Sequence, residues 1–182
     1  MTKLIGLSGS LRRASFNSAL LRAAAEATPQ GAEINIATIR GIPLYDGDVE
    51  VAEGIPEPVS ALKEAIIASD GLFLVTPEYN NSIPGVFKNA IDWLSRPATD
   101  IKRVFGGRPV ALLGASPGGF GTILSQNAWL PVLHTLGAEL WSVSRANSAF
   151  DDQGKLSDEK VRTQLKSFVE GFVQFTRAAR GG

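Results

Sequence analysis

The residues best equipped for chemistry lie near the start of the chain, in Ser8-Gly9-Ser10-Leu11-Arg12-Arg13-Ala14-Ser15-Phe16-Asn17. They follow a short apolar run, Leu4-Ile5-Gly6-Leu7, and lead into a helical pattern over residues 15–27. Such a strand-to-helix loop suits a phosphate. The first N–H groups of a helix have no partner within it, and the aligned peptide dipoles place partial positive charge there. Ser and Asn side chains add neutral donors, Arg12 adds a forked cation, and Gly9 allows close backbone approach. Ser15 is equally a good helix N-cap, and Gly-Ser turns join strands to helices in proteins that bind nothing. The rest of the chain must decide between the two.

Two more polar loops follow apolar runs. Gly71-Leu72-Phe73-Leu74-Val75 runs into Thr76-Pro77-Glu78-Tyr79-Asn80-Asn81-Ser82, and Pro109-Val110-Ala111-Leu112-Leu113 precedes the glycine-rich Ser116-Pro117-Gly118-Gly119-Phe120-Gly121. Unbroken apolar strands are those covered by helices on both faces. The pattern predicts strands near residues 3–7, 33–39, 71–75, 108–114 and 139–143. Helices are predicted over residues 15–27, 59–68, 84–95, 122–135 and from 157 onward, the last with Phe168, Phe172 and Phe175 in its apolar stripe. Residues 46–58 and 144–155 read as loops, and Pro131 predicts a kink or break in the fourth helix. Strand then helix, repeated five times, indicates one α/β domain over residues 1–182, with a parallel sheet wrapped on both faces. In such sheets ligands collect beyond the carboxyl ends of the strands, where all three polar loops should fall.

Several ligands and reactions are disfavoured. A P-loop needs Gly-Lys-Ser/Thr, but no lysine stands between Lys3 and Lys63. A dinucleotide fingerprint needs three spaced glycines; the first loop offers Gly6-x-x-Gly9, and Gly119-x-Gly121 is followed by Leu124. With no cysteine and one histidine, His134, neither thiolate chemistry nor a multi-histidine metal site is available. His134 more readily caps or packs than catalyses. Eighteen basic and eighteen acidic residues balance, so no global field draws the chain to nucleic acid or an anionic membrane. The start of the chain lacks a secretory h-region and no apolar run could span a bilayer, which predicts a soluble cytoplasmic protein. One remaining reading is a mononucleotide, its phosphate on the first loop and its ring held by the other two.

Three motifs in order resemble the NADPH-dependent FMN reductase family, closest to its quinone and chromate reductase branch. They are Gly9-Ser10-Leu11-Arg12 with Ser15 and Asn17, Pro77-Glu78-Tyr79-Asn80-x-Ser82-Ile83-Pro84-Gly85, and Lys88-Asn89-Ala90-Ile91-Asp92-Trp93. The resemblance implies a flavodoxin-like three-layer sandwich with a five-stranded parallel sheet of order 2-1-3-4-5. It implies an enzyme that binds FMN, takes hydride from NADPH or NADH on flavin N5, and passes electrons to quinones or to other acceptors such as chromate, azo compounds or free flavin. It further implies that Ser10, Arg12, Ser15, Phe16 and Asn17 hold the ribityl phosphate. Pro77, Glu78, Tyr79, Asn80 and Asn81 would line the ring edge, and Ser116, Gly118 and Gly119 would close the other side, with no metal and no protein acid or base needed for the first step. A flavodoxin-like electron carrier without its own turnover is the alternative, although such carriers are generally strongly acidic and this chain is neutral. Lys88 and Asp92 read as a surface ion pair, Trp93 as core, and Tyr79 as either a packing or a stacking residue. The apolar helix over residues 122–135, with that over residues 84–95, is expected to form the face of a homodimer or homotetramer. Leu124 and Asn127, where branch members carry a basic residue, weaken the case for tetramer contacts and anionic acceptors.

Overall fold

The computed structural model describes residues 1–133, 138–143 and 146–179. Its strands are β1 (Thr2–Ser8), β2 (Ala32–Ala37), β3 (Gly71–Val75), β4 (Val110–Ala115) and β5 (Ala138–Val143). They form one sheet in the order β2-β1-β3-β4-β5, and every neighbouring pair is parallel. All residues of β3 and β4 are buried, as their unbroken apolar runs require. The alternating β2 lies at the edge.

The helices are α1 (Phe16–Glu26), α2 (Gly47–Glu53), α3 (Glu57–Ile67), α4 (Gly85–Leu94), α5 (Ile101–Phe105), α6 (Ile123–Leu133), α7 (Ala146–Ala149) and α8 (Glu159–Ala179). One core cluster packs Leu20, Leu21 and Ala24 of α1 and Leu165, Val169 and Phe172 of α8 against the sheet. On the opposite face a second cluster joins α3, α4, α5 and α6, centred on Ile66, Phe87, Trp93 and Trp129. This is the α/β sandwich that the strand–helix alternation predicts, with the flavodoxin-like arrangement.

Two of the predicted loops contain helices, and a further stretch adds elements that were not predicted. Residues 46–58 are not all loop. Asp46 caps α2 by accepting from the Asp48 N–H at 2.9 Å, and Glu50 binds the Arg96 guanidinium at 2.8 Å. No residue of α2 is buried, so it has no apolar stripe for periodicity to detect. Residues 98–105 contribute a 3-10 turn and the short α5, which inserts Val104 and Phe105 into the core. The 144–155 stretch contains α7. Pro131 lies inside α6, which runs to Leu133. Trp93 is fully buried and its indole N–H donates to the Pro43 carbonyl at 2.9 Å, whereas Phe175, at the end of the predicted stripe, is 39% exposed.

Candidate functional site

The first loop leaves β1 at Ser8 and enters α1 through Ser15, whose backbone is extended (φ −89°, ψ 126°). The Ser15 hydroxyl accepts from the Ser18 N–H at 3.2 Å, a standard N-cap. The N–H groups of Phe16 and Asn17 at the head of the helix have no acceptor among the described residues, which leaves two donors and the positive end of the dipole facing out. Ser10 accepts from the Arg12 N–H at 3.3 Å and shapes the turn. The Arg12 guanidinium is exposed, with no ion pair among the described residues. Together these place an exposed cation and two N–H donors at one turn.

Two residues of this loop have clear structural roles. Asn17 is 4% exposed, and its side-chain amide both donates to the Ala115 carbonyl and accepts from the Ala115 N–H, each at 2.9 Å. An Asn amide carries a donor and an acceptor side by side, so it pairs with a peptide as a neighbouring strand would. The Asn17 side-chain amide is thus engaged within the fold, whereas its backbone N–H is not. Gly9 is required by packing: a Cβ there would stand 2.3 Å from the Phe87 ring. Its N–H donates to the Val75 carbonyl at 2.9 Å, which ties the first loop to the end of β3.

The second loop begins at Thr76, a buried hub that sequence reading passes over. Its hydroxyl donates to the Pro77 carbonyl at 3.0 Å, lies 2.9 Å from Ser125 Oγ, and accepts from the Trp129 indole N–H at 3.1 Å. Pro77 is buried. The Glu78 carboxylate is not simply solvated. One carboxylate oxygen accepts from the N–H groups of Leu124 (2.9 Å) and Ser125 (3.1 Å), so Glu78 caps α6 from a distant loop. Asn80 and Asn81 both have positive φ (49° and 61°), with mutual backbone bonds between Tyr79 and Ser82. That is a two-residue turn of the I′ kind, for which Asn is suited, and the Asn-Asn pair was its available sequence signal. Tyr79, beside this turn, is 44% exposed. The Lys88–Asp92 pair is present on α4 as a solvent-exposed contact.

The third loop is locked by the Ser116 hydroxyl, which donates to the Gly121 carbonyl across the turn. Ser116 therefore spends its donor on the loop itself. A side chain at Gly118 would reach only Ser116 Oγ, at 3.7 Å, and one at Gly119 would meet nothing within 4 Å. The space over these two glycines is open. Phe120, next to them, is 87% exposed, an aromatic at the tip of a braced loop that sequence reading did not single out.

The structure thus brings all three polar loops to the carboxyl edge of the sheet, around the point where β1 and β3 diverge in order. Gly9–Val75, Asn17–Ala115 and Glu78–Leu124 cross-tie them. Among the described residues no cluster of His, Asp or Glu is placed to hold a metal, and no helix is long and apolar enough to cross a membrane. His134 lies outside the described residues.

Known proteins point the same way. The sequence profile described as NADPH-dependent FMN reductase matches residues 2–153. The chain is 44% identical over 184 residues to an NAD(P)H-dependent FMN reductase of Pseudomonas aeruginosa, covering 98% of this chain and 97% of that protein. It is 45% identical over 185 residues to a quinone reductase of Escherichia coli, with 98% and 97% covered. Among solved structures, the flavoenzyme NAD(P)H:(acceptor) oxidoreductase FerB of Paracoccus denitrificans superposes with a TM-score of 0.83 at 32% identity, covering 98% of this chain and 99% of that one. A profile match over most of the chain, near-complete relatives above 30% identity and the same fold converge on one assignment: this chain belongs to the NADPH-dependent FMN reductase family.

Proposed function

We propose that this chain oxidises NADH or NADPH and passes the electron pair, through bound FMN, to a quinone. The observation that carries the reading is the cross-tied trio of loops, with an anion cradle at one end and open space over Gly118 and Gly119 at the other. The residues fit FMN. Arg12, the Ser10 and Ser15 hydroxyls and the N–H groups of Phe16 and Asn17 supply donors for a ribityl phosphate. The backbone of residues 77–81, held by Glu78 and the Asn80-Asn81 turn, lines one edge of the ring, and the Gly118-Gly119 backbone closes the other. FMN supplies two-electron hydride exchange at its ring nitrogen when bound. The protein's part is to fix the ring, exclude competing orientations and leave one face accessible first to nicotinamide and then to quinone. The balance is NAD(P)H plus quinone plus one solvent proton giving NAD(P)+ and hydroquinone.

A different feature supports a homodimer. Val86 of α4 and Ile123, Leu124 and Leu130 of α6 are between 38% and 56% exposed. This apolar face suits a homodimer interface, and light scattering of the wild type against Leu124→Glu tests it. For the reaction, purified protein should carry a flavin absorbance band and oxidise a reduced nicotinamide only when a benzoquinone is supplied. Protein that takes up no FMN and shows no quinone-dependent oxidation overturns the reading.

A further inference from the structure

Behind the first loop lies a cavity of about 290 Å³ between the head of α1 and the end of β2. Arg12, Arg13, Arg22 and Arg40 line it, with the Ser10 and Thr38 hydroxyls, and no carboxylate does. None of the four guanidinium groups is in an ion pair among the described residues. In a chain of zero net charge this is a local concentration of unneutralised cations. Like charges gathered around a cavity repel one another unless an anion joins them. Arg40 is held in place by donating to the Leu11 carbonyl at 2.6 Å, so the site is partly preorganised.

A second observation narrows the anion. An apolar groove of about 420 Å³ adjoins the cavity and shares Ile36, Ala37, Thr38 and Arg40 with it. Its far side is Pro58 with Ala61 and Ala65 of α3, and Ile36 is 50% exposed there. A cationic cavity and an apolar trough with a common wall match a phosphorylated nucleoside, the phosphate in the first and the base in the second. The end of β2 carries Thr38 and Arg40 but no acid. In dinucleotide sites an acid at the corresponding place binds a free ribose 2′-hydroxyl, and an arginine accommodates a 2′-phosphate. Neighbouring strands lie about 4.8 Å apart, so this edge stands roughly 10–15 Å from the loops after β3 and β4. A dinucleotide bridges such a distance through its pyrophosphate.

We propose that the cavity formed by Arg13, Arg22 and Arg40, with Arg12 at its mouth, receives the 2′-phosphate of NADPH, and the groove beside it the adenine, so that the enzyme selects NADPH over NADH. The assignment rests on the nicotinamide-oxidising function proposed above. It separates Arg12, which faces the flavin phosphate, from the other three arginines, which serve the co-substrate.

Calorimetric titration of the holoprotein with adenosine 2′,5′-bisphosphate, and with 5′-AMP as control, reads the site without turnover. The bisphosphate should bind the wild type at least tenfold more tightly than 5′-AMP. Arg13→Ala and Arg40→Gln should each erase most of that difference while flavin content stays unchanged. In steady state with a benzoquinone the same variants should raise KM for NADPH about tenfold or more, leaving kcat and all NADH parameters near wild type. Equal binding of the two nucleotides by the wild type, or equal losses with NADPH and NADH in the variants, overturns the inference. Loss of FMN from Arg13→Ala also overturns it, by assigning the cavity to the flavin phosphate. Selective bisphosphate binding without any nicotinamide oxidation would instead sink the proposed reaction and leave the anion site standing.

Discussion

Asn17 grips Ala115 by both of its backbone groups at 2.9 Å, and in doing so fastens the head of α1 to the end of β4 across the sheet. The first and third loops are thereby held in one register by a single buried amide. The Asn17 side chain thus sets the spacing of two loops, while its backbone N–H has no acceptor among the described residues.

Arg12 and Asn17 should therefore fail in different ways. Arg12→Ala removes an exposed guanidinium and should weaken FMN binding while changing stability by less than about 0.5 kcal/mol. Asn17→Ala leaves the Ala115 N–H and C=O buried without partners and should cost about 2–3 kcal/mol as well as flavin. Urea unfolding of the flavin-free proteins, beside FMN titration of each, makes the comparison. Equal stability of the two variants would show that the Asn17 clamp contributes nothing to the fold.

The glycines divide in a similar manner. Gly9→Ala forces a methyl to within 2.3 Å of the Phe87 ring, and overpacking of that kind costs about 1–3 kcal/mol. Gly119→Ala meets no atom within 4 Å and should leave unfolding unchanged. It should nevertheless weaken FMN or nicotinamide binding, because its methyl projects into the space proposed for the ring. Normal flavin and nicotinamide affinities in Gly119→Ala would remove that loop from the site.

What could be read from the sequence follows from how each signal is written. β3 and β4 are legible because burial on both faces leaves an uninterrupted apolar run. The Ser15 cap is legible because Ser before a helical stripe has a mechanism. α2 is not, since its anchors are the Asp46 cap and the Glu50–Arg96 pair, and Arg96 lies far along the chain. The same holds for the site. Residue types in the three loops indicated a phosphate and a flat ring, but nothing local to Glu78 reveals that its carboxylate caps a helix beginning at Ile123. Long-range pairing of a polar side chain with backbone has no period and leaves no local pattern.

Glu78 should accordingly behave as a brace. Glu78→Ala deprives the Leu124 and Ser125 N–H groups of their acceptor and should destabilise the fold by about 1–2 kcal/mol, the usual range for losing an N-cap. Glu78→Gln keeps an acceptor oxygen but loses the charge that favours a helix N-terminus, and should fall between. Because α6 and the second loop would also come apart, quinone reduction should drop in the Ala variant more than in the Gln variant. Chemical denaturation and steady-state rates on the three proteins settle the order, and an unchanged stability in Glu78→Ala would contradict the cap.

The acid limb of stability should report a pair remote from the site. Lys63 is 4% exposed, and its ammonium donates to the Asp100 carboxylate at 2.8 Å. That hydrogen bond first, and then the charges of Lys63 and Arg103, hold the Asp100 carboxyl below the usual carboxylate range. A carboxyl whose pKa is lower folded than unfolded stabilises the protein above its unfolded value, about 3.9 for Asp, and loses that contribution as pH falls through the folded value. Asp100→Asn removes the titrating group. Its stability should decline less steeply than that of the wild type below about pH 5, by a slope of less than one proton. At neutral pH the variant should be the less stable protein, since it leaves a buried ammonium without its anion. Parallel acid limbs for the two proteins, measured by urea unfolding from pH 7 downward, would mean that Asp100 titrates alike in the folded and unfolded chains.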